Sequence, residues 1–171
     1  MISELMQYKR WANDLFFTAC LALDPPQWEA AQPIKFGSLS RTAQHVFDMD
    51  RVWWGHLTGA SHGISGRTPD AALPASDLFE MQSGLDARYC EYADGLKADD
   101  HDRMIDFTFL NGQPGRMRIA QILVHVVNHN TYHRGHMADM FYHLGISPPV
   151  TDYPVFLRDY TPSGPAPARQ G

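Results

Sequence analysis

Apolar residues at Ile2, Leu5, Tyr8, Ala12, Leu15, Ala19 and Leu23 recur at three-then-four spacing, the pattern of a helix with one buried face. Pro25-Pro26 then stops it, because proline lacks the backbone donor and clashes with the preceding turn. A second helix is predicted after Gly37, where Ser38 or Ser40 can accept from an unpaired first-turn N–H. It runs through Ala43, Val46, Met49, Val52, Trp53 and Leu57, with Gly59 placed to end it. Residues 60–74 show no period and read as a connection, long enough to be a lid or a crossover.

Ser76 is the predicted cap of a third helix, with Glu80 near the capping-box position and a stripe of Leu78, Met81, Leu85, Tyr89, Tyr92 and Leu96. The pattern fades at Lys97-Ala98-Asp99-Asp100. Between Met104 and Arg118 the period changes to two, with Ile105, Phe107 and Phe109 alternating with polar residues and Asn111-Gly112 as a turn signal, which predicts a small β-hairpin. The longest helix is predicted from Ile119 to Leu144, closed by Gly145 with Pro148-Pro149 beyond. These elements imply an all-α fold, a four-helix bundle with a small β-hairpin between helices three and four. The expected domain is a single one over residues 1–160, and the Pro-, Ala- and Gly-containing segment 161–171 is expected to be a flexible tail.

Composition narrows the function classes. The chain is 44% hydrophobic and 19% charged, with a formal net charge of −5, and its Lys and Arg are scattered, so a phosphate-binding surface is not expected. No apolar run is long enough for a membrane span. Met1 to Arg10 carries acidic and polar residues where a secretory signal needs an apolar stretch, so the expected location is cytoplasmic. Cys20 and Cys90 stand far apart and outside any CxxC pattern, and read as buried or free thiols.

The chemistry-bearing feature is the run HVVNHNTYHRGHMADMFYH from His125 to His143. At about 100° per residue, His125, His129, His133, His136 and His143 share a stripe about 80° wide. Ile122 and Met140 lie on the same face, so the imidazoles are expected to point into the bundle, where several cations cannot coexist. His129 and His133 stand at i, i+4, a spacing that lets two imidazoles on successive turns reach one ion. The glutamate of an HExxH metalloprotease is missing. A third ligand must come from another helix, where His45, within the apolar stripe with Met49 and Val52, is the best candidate and His56, on roughly the same face three turns later, is its rival. Three neutral imidazoles suit zinc, nickel or another borderline divalent ion and leave a coordination position open.

Several stretches resemble the DinB/YfiT family of bundle metalloproteins. These are Tyr8-Lys9-Arg10-Trp11-Ala12-Asn13, Gly37-Ser38 with His45, Asp50-Arg51-Val52-Trp53, Leu57-Thr58-Gly59, His125 to Gly135, and then Gly145, Pro148-Pro149 and Asp152. The resemblance implies metal ligands at His45, His129 and His133, a zinc or nickel ion, and a homodimer paired through helix faces. It also implies metal-dependent transfer or isomerisation with a low-molecular-weight thiol. A metal-dependent hydrolase and a non-catalytic, stress-related metal-binding bundle are the alternatives. His136 stands where the family usually has Gln, which makes it, like His125, a neighbour or an additional ligand.

Other residues carry weaker signals. Asp48 and Asp50 are placed either to orient His45 or to form surface pairs, and Arg134 either to recognise a carboxylate or to pair with Asp139 or Asp152. Trp11, Trp28, Trp53 and Trp54 read as core. No Ser-His-Asp order, phosphate loop or Cys-His pairing stands out.

Overall fold

The apolar run that opens the chain forms α1 (Ile2–Leu21) in a computed structural model that describes residues 1–69 and 71–160. The expected tail, 161–171, lies outside the described residues. Pro25-Pro26 follows the end of α1 but also starts a short helix that the spacing did not predict, α2 (Pro25–Trp28). Proline suits a first helical turn, whose N–H groups have no partner within the helix, and the Asp24 N–H donates to Gln27 Oε1 at 2.9 Å.

In α3 (Leu39–Thr58) the cap is Ser38, whose Oγ accepts from the Arg41 N–H at 3.2 Å, while the Ser40 hydroxyl pairs with that of Ser38. Gly59, at φ 75°, ends the helix as expected. The 60–74 connection then doubles back along α3. Arg51 donates to the His62 carbonyl and Arg41 to the Pro69 carbonyl, each at 3.0 Å, and the Leu73 N–H donates to Gln44 Oε1 at 3.1 Å. Gly55 makes room for the reversal, since a Cβ there would stand 2.7 Å from the Ala60 carbonyl oxygen.

The fourth helix, α4 (Ala75–Asp94), begins before Ser76, with Pro74 at the cap position and no side-chain cap bond. Ser76 therefore falls inside the first turn and donates instead to Asp77 Oδ1 at 3.0 Å. After a 3-10 turn, Ala98–Asp102, strands β1 (Met104–Thr108) and β2 (Pro114–Arg118) pair antiparallel with Ile105 opposite Met117 and Phe107 opposite Gly115. Asn111-Gly112 lies in the connecting loop, which is closed by the Phe109 N–H donating to the Gln113 carbonyl at 2.8 Å. Phe109, expected to continue the strand, belongs to that loop.

Helix α5 (Ile119–His143) has Leu144 as its C-cap. A last helix, α6 (Tyr153–Asp159), was not predicted and buries Phe156 against Tyr8 and Trp11. α1 packs on α4 and α5, and α3 packs on the same two, so the four long helices close a ring around a core that includes Leu78, Tyr89, Ile122, Leu123 and Phe141. The helical bundle with a two-stranded hairpin is thus the expected fold class. Among the described residues no helix is long and apolar enough to cross a membrane.

Each of the four long helices also delivers polar groups to the centre. Lys9 Nζ lies 2.8 Å from Asp50 Oδ2 and pairs with Asp86 as well, all three being about 1% exposed or less. Gln82 Nε2 donates to Asp50 at 2.9 Å and to Asp86 at 2.8 Å. Asn130 Nδ2 donates to Asp50 Oδ1 at 2.8 Å, and Asn13 Nδ2 bridges Asp86 and Asn130 at 2.8 and 3.1 Å. Arg134 donates to Asn13 Oδ1 and to the Tyr8 hydroxyl. Two cations thus face two carboxylates. Burial alone would lower the Lys9 pKa, but Asp50 and Asp86 outweigh it and hold the ammonium above its ordinary value.

Asp50→Ala leaves the Lys9 and Asn130 donors short of an acceptor in the dry centre, and its expected cost is about 3–5 kcal/mol. Asp14→Ala, which removes only the half-exposed Arg10 pair at 4.0 Å, should cost no more than about 1 kcal/mol. Urea denaturation of the two variants measures both; comparable losses would show that the central layer does not hold the bundle.

Candidate metal centre

The structure brings His45 from α3 against His129 and His133 from α5. Ring centroids are 5.3 Å apart for His45–His129, 4.8 Å for His45–His133 and 4.5 Å for His129–His133. One ring nitrogen from each of the three lies within 4.8 Å of the other two. Local structure explains the meeting. His129 and His133 rise on successive turns of α5, and His45 is pinned by its Nδ1, 2.6 Å from the Arg67 carbonyl oxygen. A carbonyl only accepts, so His45 Nδ1 carries the proton and Nε2 keeps the lone pair. Phe36, just ahead of α3, stacks on His45 with centroids 4.2 Å apart.

All three rings are held neutral. Burial, and then the neighbouring histidines, push His129 and His133 down to about 3. Burial likewise lowers His45, against the Arg67 carbonyl bond that favours its charged form. Neutral imidazoles are the protonation state in which a metal is bound. Two buried nitrogens, His129 Nδ1 and His133 Nδ1, have no hydrogen-bond partner among the described residues. Such a group costs about 1–3 kcal/mol unless something polar meets it. Neutral donors, their convergence and these unmet atoms fit a borderline divalent cation.

Two cavities flank the cluster. One of about 490 Å³ has Met49, Val52, Trp53, Leu110, His125 and His129 among its walls; the other, of about 270 Å³, includes Lys35, Phe36, Tyr132, His133 and His136. Arg67 and His129 line both.

Of the other histidines, His56 is set apart from the cluster, stacked on Phe107 at 4.9 Å between centroids and 5.6 Å from His62. The structure therefore selects His45 over His56 as the residue that meets the pair. His125 and His136 flank it, 5.9 Å from His129 and 5.5 Å from His133. His143 does not point inward: it is exposed, beside Asp139 at 3.9 Å. The histidine stripe lies at one side of the buried face of α5, whose centre is taken by Ile119, Asn130 and Met137, so its far end reaches solvent.

Neither aspartate orients His45; Asp48 accepts from Gln44 at 3.1 Å, and Asp50 belongs to the central layer. Arg134 pairs with neither Asp139 nor Asp152 but points to α1, where Tyr8 and Asn13 accept its protons. Trp53 is buried as expected and is also a cavity wall. Cys20 and Cys90 are buried free thiols, pushed up to about 12 and about 11 by burial. Arg67, Phe36 and Lys35 were missed because residues outside helices carry no period; the length of the 60–74 connection was the one signal available. The buried layer did leave a trace, since Lys9 and Asn13, and Gln82 and Asp86, occupy i, i+4 positions on otherwise apolar stripes.

Fold and site together define a helical-bundle protein with an accessible three-histidine cluster at the side of its core. The chain belongs to the DinB family, whose profile matches residues 1–164. It is similar to Protein DinB of Bacillus subtilis, with 28% identity over 167 residues, covering 90% of this chain and 92% of that protein. The fold is shared with the crystal structure of a DinB-like protein from Bacillus cereus at a TM-score of 0.62, with 18% identity over 85% of this chain and 94% of that one.

The lowered histidines carry a pH signature in metal-free protein. Their folded values, about 3 for His129 and His133, lie below the ordinary 6.5, so the unfolded chain takes up more protons in that window. Stability is full above pH 6.5 and should fall as pH drops from about 6.5 to about 5, before most carboxylates titrate. Urea midpoints across that range should decline, and a His129→Gln, His133→Gln double variant should decline less steeply. An unchanged slope in the double variant would contradict the neutral-cluster assignment.

Proposed function

We propose that this DinB-family chain holds one divalent ion, zinc or nickel, between His45, His129 and His133, and is a metal-dependent enzyme of the thiol-dependent transferase or isomerase type. The observation that carries the reading is the convergence of three neutral imidazoles from two helices at the boundary of two cavities. A structural site closes its coordination shell with protein ligands, whereas three ligands beside open space leave a position for a reactant. A divalent ion held by these three histidines would supply Lewis acidity there, the chemistry that makes an ionised nucleophile available near neutral pH.

The chain's own residues position and shield. The Arg67 carbonyl fixes the tautomer and orientation of His45, as outer hydrogen bonds do for ligating histidines. Phe36 covers one face of His45 and keeps water from it. In the smaller cavity Lys35 supplies a positive charge suited to a small thiol bearing an anionic group, and Tyr132 and His136 offer polar contacts beside His133. A homodimer is part of the proposal, supported by the family resemblance and by Val124, Tyr132 and Tyr142 left exposed on α5.

Protein purified without a histidine tag should contain, or take up, about one equivalent of zinc or nickel per chain. His129→Ala should weaken that binding at least about tenfold, and His56→Ala should leave it unchanged. Absence of metal after loading, or loss in the His56 variant instead, would overturn the assignment. With metal bound, turnover of electrophiles by low-molecular-weight thiols should appear and should vanish on chelation; its absence across common thiols counts against the enzymatic half. Sedimentation equilibrium should return the mass of two chains, and the mass of one would remove the dimer.

A further inference from the structure

The larger cavity is more specific in its chemistry than the metal-centre reading requires. One wall is apolar and comes from α3, with Met49, Val52 and Trp53. The hairpin loop adds Phe109, Leu110, Asn111 and Gln113 to the lining; Phe109 is 43% exposed, with its ring 4.9 Å from Phe107 and edge-on to Trp53 at 6.3 Å. A volume of about 490 Å³ lies within the range of small-molecule sites, roughly 300–1,000 Å³. An aromatic ligand is favoured by a lining that offers the rings of Trp53 and Phe109 among apolar side chains.

Among the described residues Arg67 is the one charged residue in the lining of the same cavity, whose other polar groups are neutral imidazoles and side-chain amides. A cationic ligand would be repelled by that charge, whereas a carboxylate matches a guanidinium in geometry and charge.

We propose that this cavity binds an aromatic carboxylate, its ring against Trp53 and Phe109 and its carboxylate toward Arg67. The proposal deepens the metal-centre reading by naming the ligand class that stands beside His129, and it rests on that reading only for the ligand's role as a reactant. The hairpin thereby gains a role in recognition, because its loop is the wall that selects ligand size. Leu110 lies on that wall, half-buried and outside the core cluster, so its replacement alters the cavity without disturbing the helices.

The test is calorimetric titration of the full chain, zinc-loaded and metal-free, with 2-naphthoate, 2-naphthylmethylammonium and acetate. Naphthoate should bind once per chain in both forms and at least about tenfold more tightly than either of the others, the size of one charge-assisted contact. Arg67→Gln should remove about that factor for naphthoate alone, since His45 is held by the backbone carbonyl of residue 67 and not by its side chain. Leu110→Trp should weaken naphthoate by a similar factor, about tenfold, at an unchanged thermal midpoint. Equal binding of the ammonium compound, or naphthoate binding insensitive to both substitutions, overturns the proposal. Metal content measured on the same samples separates the two readings. Zinc binding without a naphthoate preference sinks this inference alone, and naphthoate binding by protein that takes up no zinc on loading sinks the metal centre alone.

Discussion

Lys9, held between Asp50 and Asp86 at the centre of the bundle, is the contact on which the rest of the structure depends. An ammonium and two carboxylates out of water are tolerable only if every one is paired and hydrogen-bonded. The partners come from α1, α3, α4 and α5 together. Apolar stripes let helices slide and rotate with small loss, because hydrophobic attraction has no direction. Hydrogen bonds to Asp50 and Asp86 have direction, so they set the rotation and height of each helix. Arg134 supplies the second positive charge and anchors α5 to α1 through Asn13 and Tyr8.

The histidine cluster follows from that anchoring. Asn130, fully buried and bonded to Asp50, stands between His129 and His133 on α5. Asp50 lies little more than one turn beyond His45 on α3. When Asn130 meets Asp50 at the centre, the residues to one side of that contact meet as well, and these are the three imidazoles. Their place beside the central layer and not within it explains why they are neutral yet reachable. Dry packing on the inner side lowers their pKa, and cavities open on the other.

Two segments outside the helices complete the site. The 60–74 connection returns along α3 because Arg41, Gln44, His45 and Arg51 each present a group to it. It carries Arg67 to the boundary of both cavities. The hairpin closes the larger one, leaning on Trp53 through Phe107 at 5.1 Å. Both are long-range returns of the chain to a helix laid down earlier, and they turn a bundle edge into a pair of half-open cavities.

The four long helices, the hairpin and the pairing of His129 with His133 were legible in the amino-acid sequence, because period, caps and i, i+4 spacing are local properties of the chain, whereas the short α2 and α6 were not. Ser38, Gly59 and Asn111-Gly112 all served the turns and caps expected of them or lay within those turns. Ser76 did not, because Pro74 already set the start of its helix. His45 was favoured over His56 by the apolar stripe of its helix, but the inward burial of Lys9 and Asp50, the partners of Arg134 and the placing of Arg67 were decided by tertiary structure. Each depends on which helix faces which, and at what rotation. A lysine or an aspartate on a helix reads as surface until the opposite charge is known to stand across from it, and that partner lies many residues away in the chain, at Asp86 for Lys9 and at Lys9 for Asp50.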